Sequence, residues 1–450
     1  MTGFYDDGLF GKLFTEAQRE EHGPGHSVEL YERAGASLEL LEDEEGVCVS
    51  EVKERGFALR LFRGGRVGFA AAGPEGLALL LPRARSLLPR ARVRRGARAA
   101  TPLAGEPPAE PVTGAPNVPD EAAAREILVD FRRAVTRAGG GAVAVREASV
   151  VMGERRERIA TSGGREASWT SRAASLIAHL AGRAKEGRFS ARVVANAARA
   201  EELPIARLAR LGVDRVLLPL TGHAAPTGRV DVLLDSHVAA HLIGRLAPFF
   251  FGDAQDALLA SRTRGGKDGL TSPVLSLVDD IAAPGGPIRI PRDGEGTPKR
   301  RTVVVERGMV TGRLTDVASA VRRETTSSGN AIRRLWSEPP AVGVTNFFVD
   351  PSPGVSPLDL LASVTKGVYA AVLLERPDID LAADRFRLVT AGYTIEKGRA
   401  AHRVSETVLS GRLSELLRGI ASIGDDLKFV AGAGGGVGSP TLYIPRWKLG

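Results

Sequence analysis

From about residue 270 to the end, the chain is a succession of short runs in which apolar residues fall at every second position. PVLSLVDD, GPIRIPRDGEG, RTVVVERGMVTG, NFFVDPSPG, FRLVTAGYTIEKGR and PTLYIP each end on Gly, Pro, Asn or Asp. A period of two puts alternate side chains on opposite faces of an extended strand, so this half is expected to form sheets with tight turns. Residues 26–72 carry the same pattern in HSVELYERAG, GVCVSEVKE and FALRLFRGGRVGFAAA, and Gly64-Gly65 is a natural hairpin turn.

Helical patterns separate these strands. PEGLALLLPRARSLL has Pro74 placed to start a helix and Pro89 to stop it. Residues 120–138 read as an amphipathic helix with Asp120 as N-cap, Ile127, Leu128 and Phe131 facing a core, and Gly139-Gly140-Gly141 ending it. Strand-like AVAVREASVVM and ERIATSGG follow, then two helical stretches across 170–212. RVDVLLDSHVAAHLIGRLAPFFF reads as a buried strand entering a helix, and further helices are expected near Pro357–Leu374 and Ser410–Ile423. The fold class expected is α+β: an N-terminal mixed sheet-and-helix domain followed by a β-rich C-terminal domain with few helices. Residues 1–82 and 119–215 would be the two halves of the first domain, 83–118 an Arg- and Pro-rich linker or surface arm, and 216–450 the second domain.

Hydrophobic content of 43% is ordinary for a globular protein. There is no apolar run of about 18 residues to span a membrane. The start, MTGFYDDGLFGKLF, has acids where a secretory signal needs a basic segment, so a cytoplasmic location is expected. Cys48 is the one cysteine, read as a small buried hydrophobe on a strand. The net charge of +8 is concentrated in seven arginines between Arg83 and Arg98. Such a segment can follow a phosphate backbone, which keeps a nucleic-acid-associated role as an alternative. No zinc-finger spacing or RNA-binding aromatic motif accompanies it, which argues against that partner.

Catalytic motifs are scarce. None of the seven histidines sits in a nucleophile motif, and no G-x-S-x-G occurs. AGAGGGVGSP lacks the Lys-Ser/Thr ending of a phosphate loop and reads as a flexible loop before the last strand. His237 and His241, four apart on a helix, could face one metal, with Asp235 or Asp253 as a further ligand. Val238 stands where an H-E-x-x-H hydrolase needs its glutamate, so an autonomous metallopeptidase built on this pair is an alternative only.

Five segments in the second half carry a resemblance. They are Asp293-Gly294-Glu295-Gly296; Glu306-Arg307-Gly308 with Leu314-Thr315-Asp316; Ser328-Gly329-Asn330-Ala331; Thr345-Asn346-Phe347-Phe348; and Ala391 to Gly398 leading into Glu406-Thr407 and Gly424-Asp425-Asp426. In this order and spacing the chain resembles the TldD/PmbA family, over most of residues 26–445. Zinc-bearing members place H-E-x-x-x-H on a helix, two histidines holding zinc while the glutamate acts as base toward metal-bound water. On that pattern Asp235 stands at the first histidine, Ser236 at the glutamate and Ala240 at the second histidine. The resemblance therefore implies a PmbA (TldE)-like subunit with no catalytic residues and no cofactor of its own. A TldD-type partner would carry the zinc, and short unfolded peptides would be the substrate. Peptide-binding candidates implied by the motif segments are Ser328, Gly329, Asn330, Thr345, Asn346, Phe347, Gly392 and Glu396.

Overall fold

The alternation in the first half produces strands far longer than the five or six residues usual in globular proteins. In this computed structural model, which describes residues 7–21, 23–101, 116–184, 187–252, 269–432 and 435–449, helix α1 spans Asp7–Glu20. Strands β1 (His26–Glu42), β2 (Val47–Arg63) and β3 (Arg66–Ala72) follow, and Gly64 and Gly65 turn between the last two with positive φ. Helix α2 (Leu80–Leu87) and helix α3 (Glu121–Gly139) precede β4 (Val143–Thr161), β5 (Glu166–Ala184) and β6 (Gly187–Ala197). The six strands form one antiparallel sheet in the order β3-β2-β1-β4-β5-β6. Helix α4 (Ile205–Thr221) closes this half.

One face of the sheet is covered by helices at both ends. Val28, Leu30, Leu59 and Leu61 pack under α1 and α2, with Phe10 and Ala84 from the helices. Leu38, Leu40, Val150, Leu176 and Leu180 pack under α3 and α4, against Phe131, Leu208 and Val213. Tyr31, one residue out of step with Leu30, points the other way. With Ile159 and Trp169 it meets Ile290 and Trp336 of the second half. Gly56 is required there, because a Cβ would stand 2.0 Å from the Trp336 ring.

The second half is built of two sheets with a helix between them. Strand β7 (Gly228–Leu234) runs into α5 (Ser236–Gly244). Then come β8 (Leu277–Asp279), β9 (Thr302–Glu306), α6 (Val317–Arg322), β10 (Asn346–Val349), α7 (Pro357–Ser363) and β11 (Lys366–Leu373). The chain finishes with β12 (Arg385–Glu396), β13 (Arg399–Arg412), α8 (Leu413–Gly419), β14 (Lys428–Gly432), β15 (Gly435–Ser439) and β16 (Leu442–Leu449). One sheet runs β16-β7-β11-β12-β13, the other β9-β8-β10-β15-β14. Helix α5 is buried between them, its Val238, Leu242 and Ile243 sharing a core with Val232, Leu277, Phe347 and Val368. Leu234, Val238, Leu242 and Leu246 do form the apolar stripe that their spacing requires. The α+β class with a strand-rich second half therefore holds.

Four local expectations fail, each for a physical reason. Residues 170–212 hold only one helix, α4; the first part belongs to β5 and β6. In β5 the buried set is Ala167, Trp169 and Ser171, then Ala174, Leu176, Ala178 and Leu180. The buried side switches in mid-strand, which breaks the period of two, and the alanines lend the segment helix propensity that sheet pairing overrides. The helix beginning at Pro357 is short, and Lys366–Leu373 is strand β11, paired on both sides. In the glycine run AGAGGGVGSP, residues 433–434 lie outside the described residues, but the flanking ones are strand: β14 pairs with β15, and β15 also pairs in parallel with β10. Gly436 and Gly438 lie where a Cβ would press on Pro287 or Phe348, so the glycines permit close sheet packing. Cys48 is exposed, because β3 pairs only with residues 57–63 and leaves the start of β2 as a bare edge.

The Arg-rich segment is docked as far as it is described, and residues 102–115 lie outside the described residues. Arg94 N donates to Gly65 O at 2.7 Å, Arg322 reaches Arg95 O at 2.8 Å, and Ala99 and Ala100 are buried. Arg85 pairs with Glu20 and Glu21, while Arg83, Arg90, Arg92, Arg94, Arg95 and Arg98 remain exposed. No described helix is long and apolar enough to cross a membrane.

Candidate functional site

Strand β7 delivers Asp235 to the N-terminus of α5, where four backbone N–H groups lack intrahelical partners. One Asp235 oxygen accepts from His237 N at 2.8 Å. The other accepts from the Tyr369 hydroxyl, which β11 places beside β7 through the Leu233–Tyr369 register. Burial, reinforced by the Asp235 charge, pushes the Tyr369 phenol upward, so it acts as a donor. Ser236 and Ala240 are fully buried.

Above this helix start lies a cleft of about 650 Å³. Its floor is Asp235, Ser236, His237 and Tyr369; one wall is α4 with Arg207, Leu211 and Asp214; Leu358 and Leu361 of α7 add apolar surface. Val194–Asn196 of β6 and Lys428–Val430 of β14 also line it. These two are the terminal strands of their sheets, so the cleft runs between two sheet edges. Burial holds the Asp214 carboxyl above its ordinary range even though Arg210 sits 3.0 Å away.

His237 and His241 are in edge-to-face contact, ring centroids 4.6 Å apart. Burial lowers the His237 pKa well below its ordinary value, with His241, Arg215 and Arg207 adding repulsion. Burial and Arg215 lower His241 to about 4. Both rings are therefore neutral at pH 7, a state that can ligate metal. The rest of the site does not fit a divalent ion. Two guanidinium groups stand nearby, and Asp235 is engaged as cap and phenol acceptor. Among the described residues no three His, Cys, Asp or Glu side chains cluster as a metal site. Asp253 lies outside the described residues.

The eight candidates from the motif segments are placed elsewhere. Ser328, Asn330 and Thr345 converge on Asp279 and Lys299. Asn330 donates to Asp279 at 2.6 Å, Thr345 N to the same carboxylate at 2.8 Å, and Lys299 Nζ to Thr345 Oγ1 at 2.8 Å. Ser328 Oγ donates to Asn330 at 2.7 Å, and Gly329 turns with φ +80° where a Cβ would strike Pro298 O. Asn346 is fully buried, accepting from Ile288 N and donating to Asp280 O and Ile288 O. Phe347 packs on Phe250 in the core. Gly392 lies against Tyr369 O, which a Cβ would approach to 1.8 Å. Glu396 is exposed, 3.9 Å from His402. None of the eight lines the cleft. The cleft residues carry no motif: Arg207, Leu211 and Asp214 are one face of an ordinary amphipathic helix, and Tyr369 lay in a segment read as helical.

A family model described as the PmbA/TldA metallopeptidase C-terminal domain matches residues 227–450, the segment that contains α5 and both sheets. Among curated proteins, a metalloprotease TldD homolog of Buchnera aphidicola is 27% identical over 247 residues, 52% of this chain and 50% of that protein. A metalloprotease of Methanothermobacter thermautotrophicus is 26% identical over 265 residues, 56% of each. The chain thus spans about half the length of the curated relatives it matches. Among solved structures, TldE from Thermococcus kodakarensis superposes with TM-score 0.81 at 17% identity, covering 98% of this chain and 99% of the other. A candidate modulator of a DNA gyrase from Thermotoga maritima gives 0.79 at 17% identity, with 98% and 99% covered. These two likenesses establish the shared fold from end to end. The sequence match across residues 227–450, shared with the curated metalloprotease relatives, places this half of the chain in the TldD/PmbA family, and the two structural likenesses extend the fold alone to the rest.

Proposed function

We propose that this chain is the peptide-holding, zinc-free subunit of a heteromeric TldD-type metallopeptidase acting on short unfolded peptides or peptide precursors. The observation that carries the reading is the cleft between β6 and β14; on the family's pattern, the helix at its floor has Asp235 and Ala240 at the histidine positions and Ser236 at that of the glutamate. Terminal strands present main-chain N–H and C=O groups that can pair with an extended chain almost regardless of its sequence. Leu208, Leu211 and Leu361 offer apolar surface for its side chains. The carboxylate on the floor caps a helix, and the two imidazoles have no third ligand among the described residues, which supports a floor without a water-activating metal. The zinc and the general base are therefore assigned to a TldD-type partner, and peptide binding and assembly to this chain.

Co-expression with a TldD-type subunit tests this directly. A stable complex that cleaves an unstructured peptide, and loses that cleavage when Leu211→Trp fills the cleft here, is the expected result. Hydrolysis by this chain alone, stopped by a chelator and by His237→Ala, would instead establish the autonomous metallopeptidase.

A further inference from the structure

The cleft continues past α4 into a second chamber of about 440 Å³, lined by Glu202, Gly285, Pro287 and Arg289. Asn196, Pro204, Arg207, Lys428 and Phe429 belong to both chambers and form the waist between them. An extended ligand that fills both must pass Arg207.

The ionic partners of the channel are uneven. Arg289 pairs with Glu202 at 2.7 Å, Lys428 with Asp426 at 3.3 Å and Arg210 with Asp214 at 3.0 Å. Asp235 is held by Tyr369. Arg207 has one hydrogen bond, donated to Phe429 O at 2.7 Å, and no carboxylate in ion-pair distance among the described residues. That bond fixes the guanidinium across the waist and leaves its remaining donors to the channel. The side chain is accessible, yet enclosed enough that burial lowers its pKa, with only the Asp235 charge opposing. On the floor of the larger chamber His237 Nε2 is buried without a hydrogen-bond partner among the described residues. Buried polar groups are satisfied in most native structures, and an accessible guanidinium anchored by one backbone bond beside a channel is suited to bidentate capture of a carboxylate.

Resting on the reading of the cleft as a peptide site, we propose that Arg207 is its specificity determinant and binds a carboxylate of the peptide at the waist. The carboxylate has two possible sources, a free C-terminus that ends at Arg207 or an Asp or Glu side chain of a strand that runs on through. A free C-terminus would select short peptides and fragments over internal loops of proteins.

Fluorescence anisotropy on the full chain separates these cases with three labelled unstructured peptides. The first has no acidic residues and a free C-terminus; the second is its C-terminal amide; the third is the amide with one internal glutamate. The first or the third should bind at least about tenfold more tightly than the second, the size expected for a charge-assisted pair. Arg207→Gln should erase that difference, Arg207→Lys should restore part of it, and both variants should melt near the parent temperature. Preference for the first assigns a C-terminus, and preference for the third a side chain. Equal binding of all three, unaffected by Arg207→Gln yet abolished by Leu211→Trp, would overturn the carboxylate site and leave the peptide cleft standing. Binding that Leu211→Trp does not touch would remove the cleft reading itself.

Discussion

Two clusters of polar side chains lie within one molecule and are built on opposite rules. In the seam between the long sheet and the second half, the buried carboxylates Glu29 and Glu157 are each bonded by more than one side chain. Glu29 receives Arg60 at 2.7 Å and Arg333 at 2.6 Å, and Arg60 also reaches Glu295 at 2.9 Å. Arg33 bonds Glu157 at 3.1 Å and the carbonyls of Arg333 and Arg334 at 3.0 Å, while Trp169 donates to Glu157 at 2.8 Å. In the cleft, by contrast, Arg207 has no carboxylate and His237 Nε2 no hydrogen-bond partner among the described residues. Charges that are fully paired fix two structural units in one orientation; charges left open in a channel are free for a ligand. The seam is thus architecture, and the cleft is the part of the molecule left open for the proposed peptide.

The contrast breaks most visibly in the seam. Arg333→Met removes one of the two arginines on Glu29, which has no exposed surface and is left with Arg60 alone, itself shared with Glu295. Loss of one member of a buried pair costs about 3–5 kcal/mol. Denaturant unfolding should show a loss of that size, and Arg207→Met in the cleft should cost less than about 1 kcal/mol. Equal losses would erase the distinction.

Acid sharpens the comparison, because the two clusters tilt stability in opposite directions. Burial pushes the Glu295 carboxyl up to about 7, Arg60 opposing and Asp316, Asp293 and Glu29 reinforcing. The folded state then binds more protons than the unfolded one. This contribution is full below the ordinary value of 4.5 and is lost as pH rises toward 7. His241, lowered from 6.5 to about 4, has the reverse sign: its contribution is full above 6.5 and is lost as pH falls toward 4. Between pH 4.5 and 6.5 the two offset each other. Glu295→Gln should leave stability rising with pH across that window and His241→Gln should leave it falling, each by about 1–3 kcal/mol. The same slope in both variants would show that one cluster does not titrate as described.

Much of the fold was legible in sequence and most of the site was not. The strands of 26–72, the Asp120 cap, the Asp235 cap and the stripe from Leu234 to Leu246 follow from local chemistry, which leaves a local signature. The strand β5 hid because its buried side switches at Ser171–Ala174 and alanine is indifferent to which face it covers. The glycine-rich β15 hid because its reason is close packing against Phe348 and Asn346, distant in sequence. The motif segments made the family legible, yet their residues are spent on holding loops together around Asp279 and Asp293. The cleft comes from the approach of α4, β6 and β14, which no short pattern records.

The smallest effect separates two motif residues that sequence treated alike. Asn346 bonds three backbone groups at the start of β10, and Asn346→Ala would take this partner from the half-buried Ile288 N and O and leave Asp280 O only its long bond from Ala283 N. That should cost about 2–3 kcal/mol. Glu396 lies at the solvent end of β12, with only an imidazole 3.9 Å away, also exposed. An exposed pair at that distance contributes little, so Glu396→Gln should change stability by less than about 0.5 kcal/mol. It should also leave peptide affinity unchanged, because Glu396 does not line the channel. A Glu396→Gln variant that folds normally but binds peptide tenfold more weakly would place a second contact surface on the β12–β13 edge, outside the cleft, and the line drawn between architecture and function would have to move.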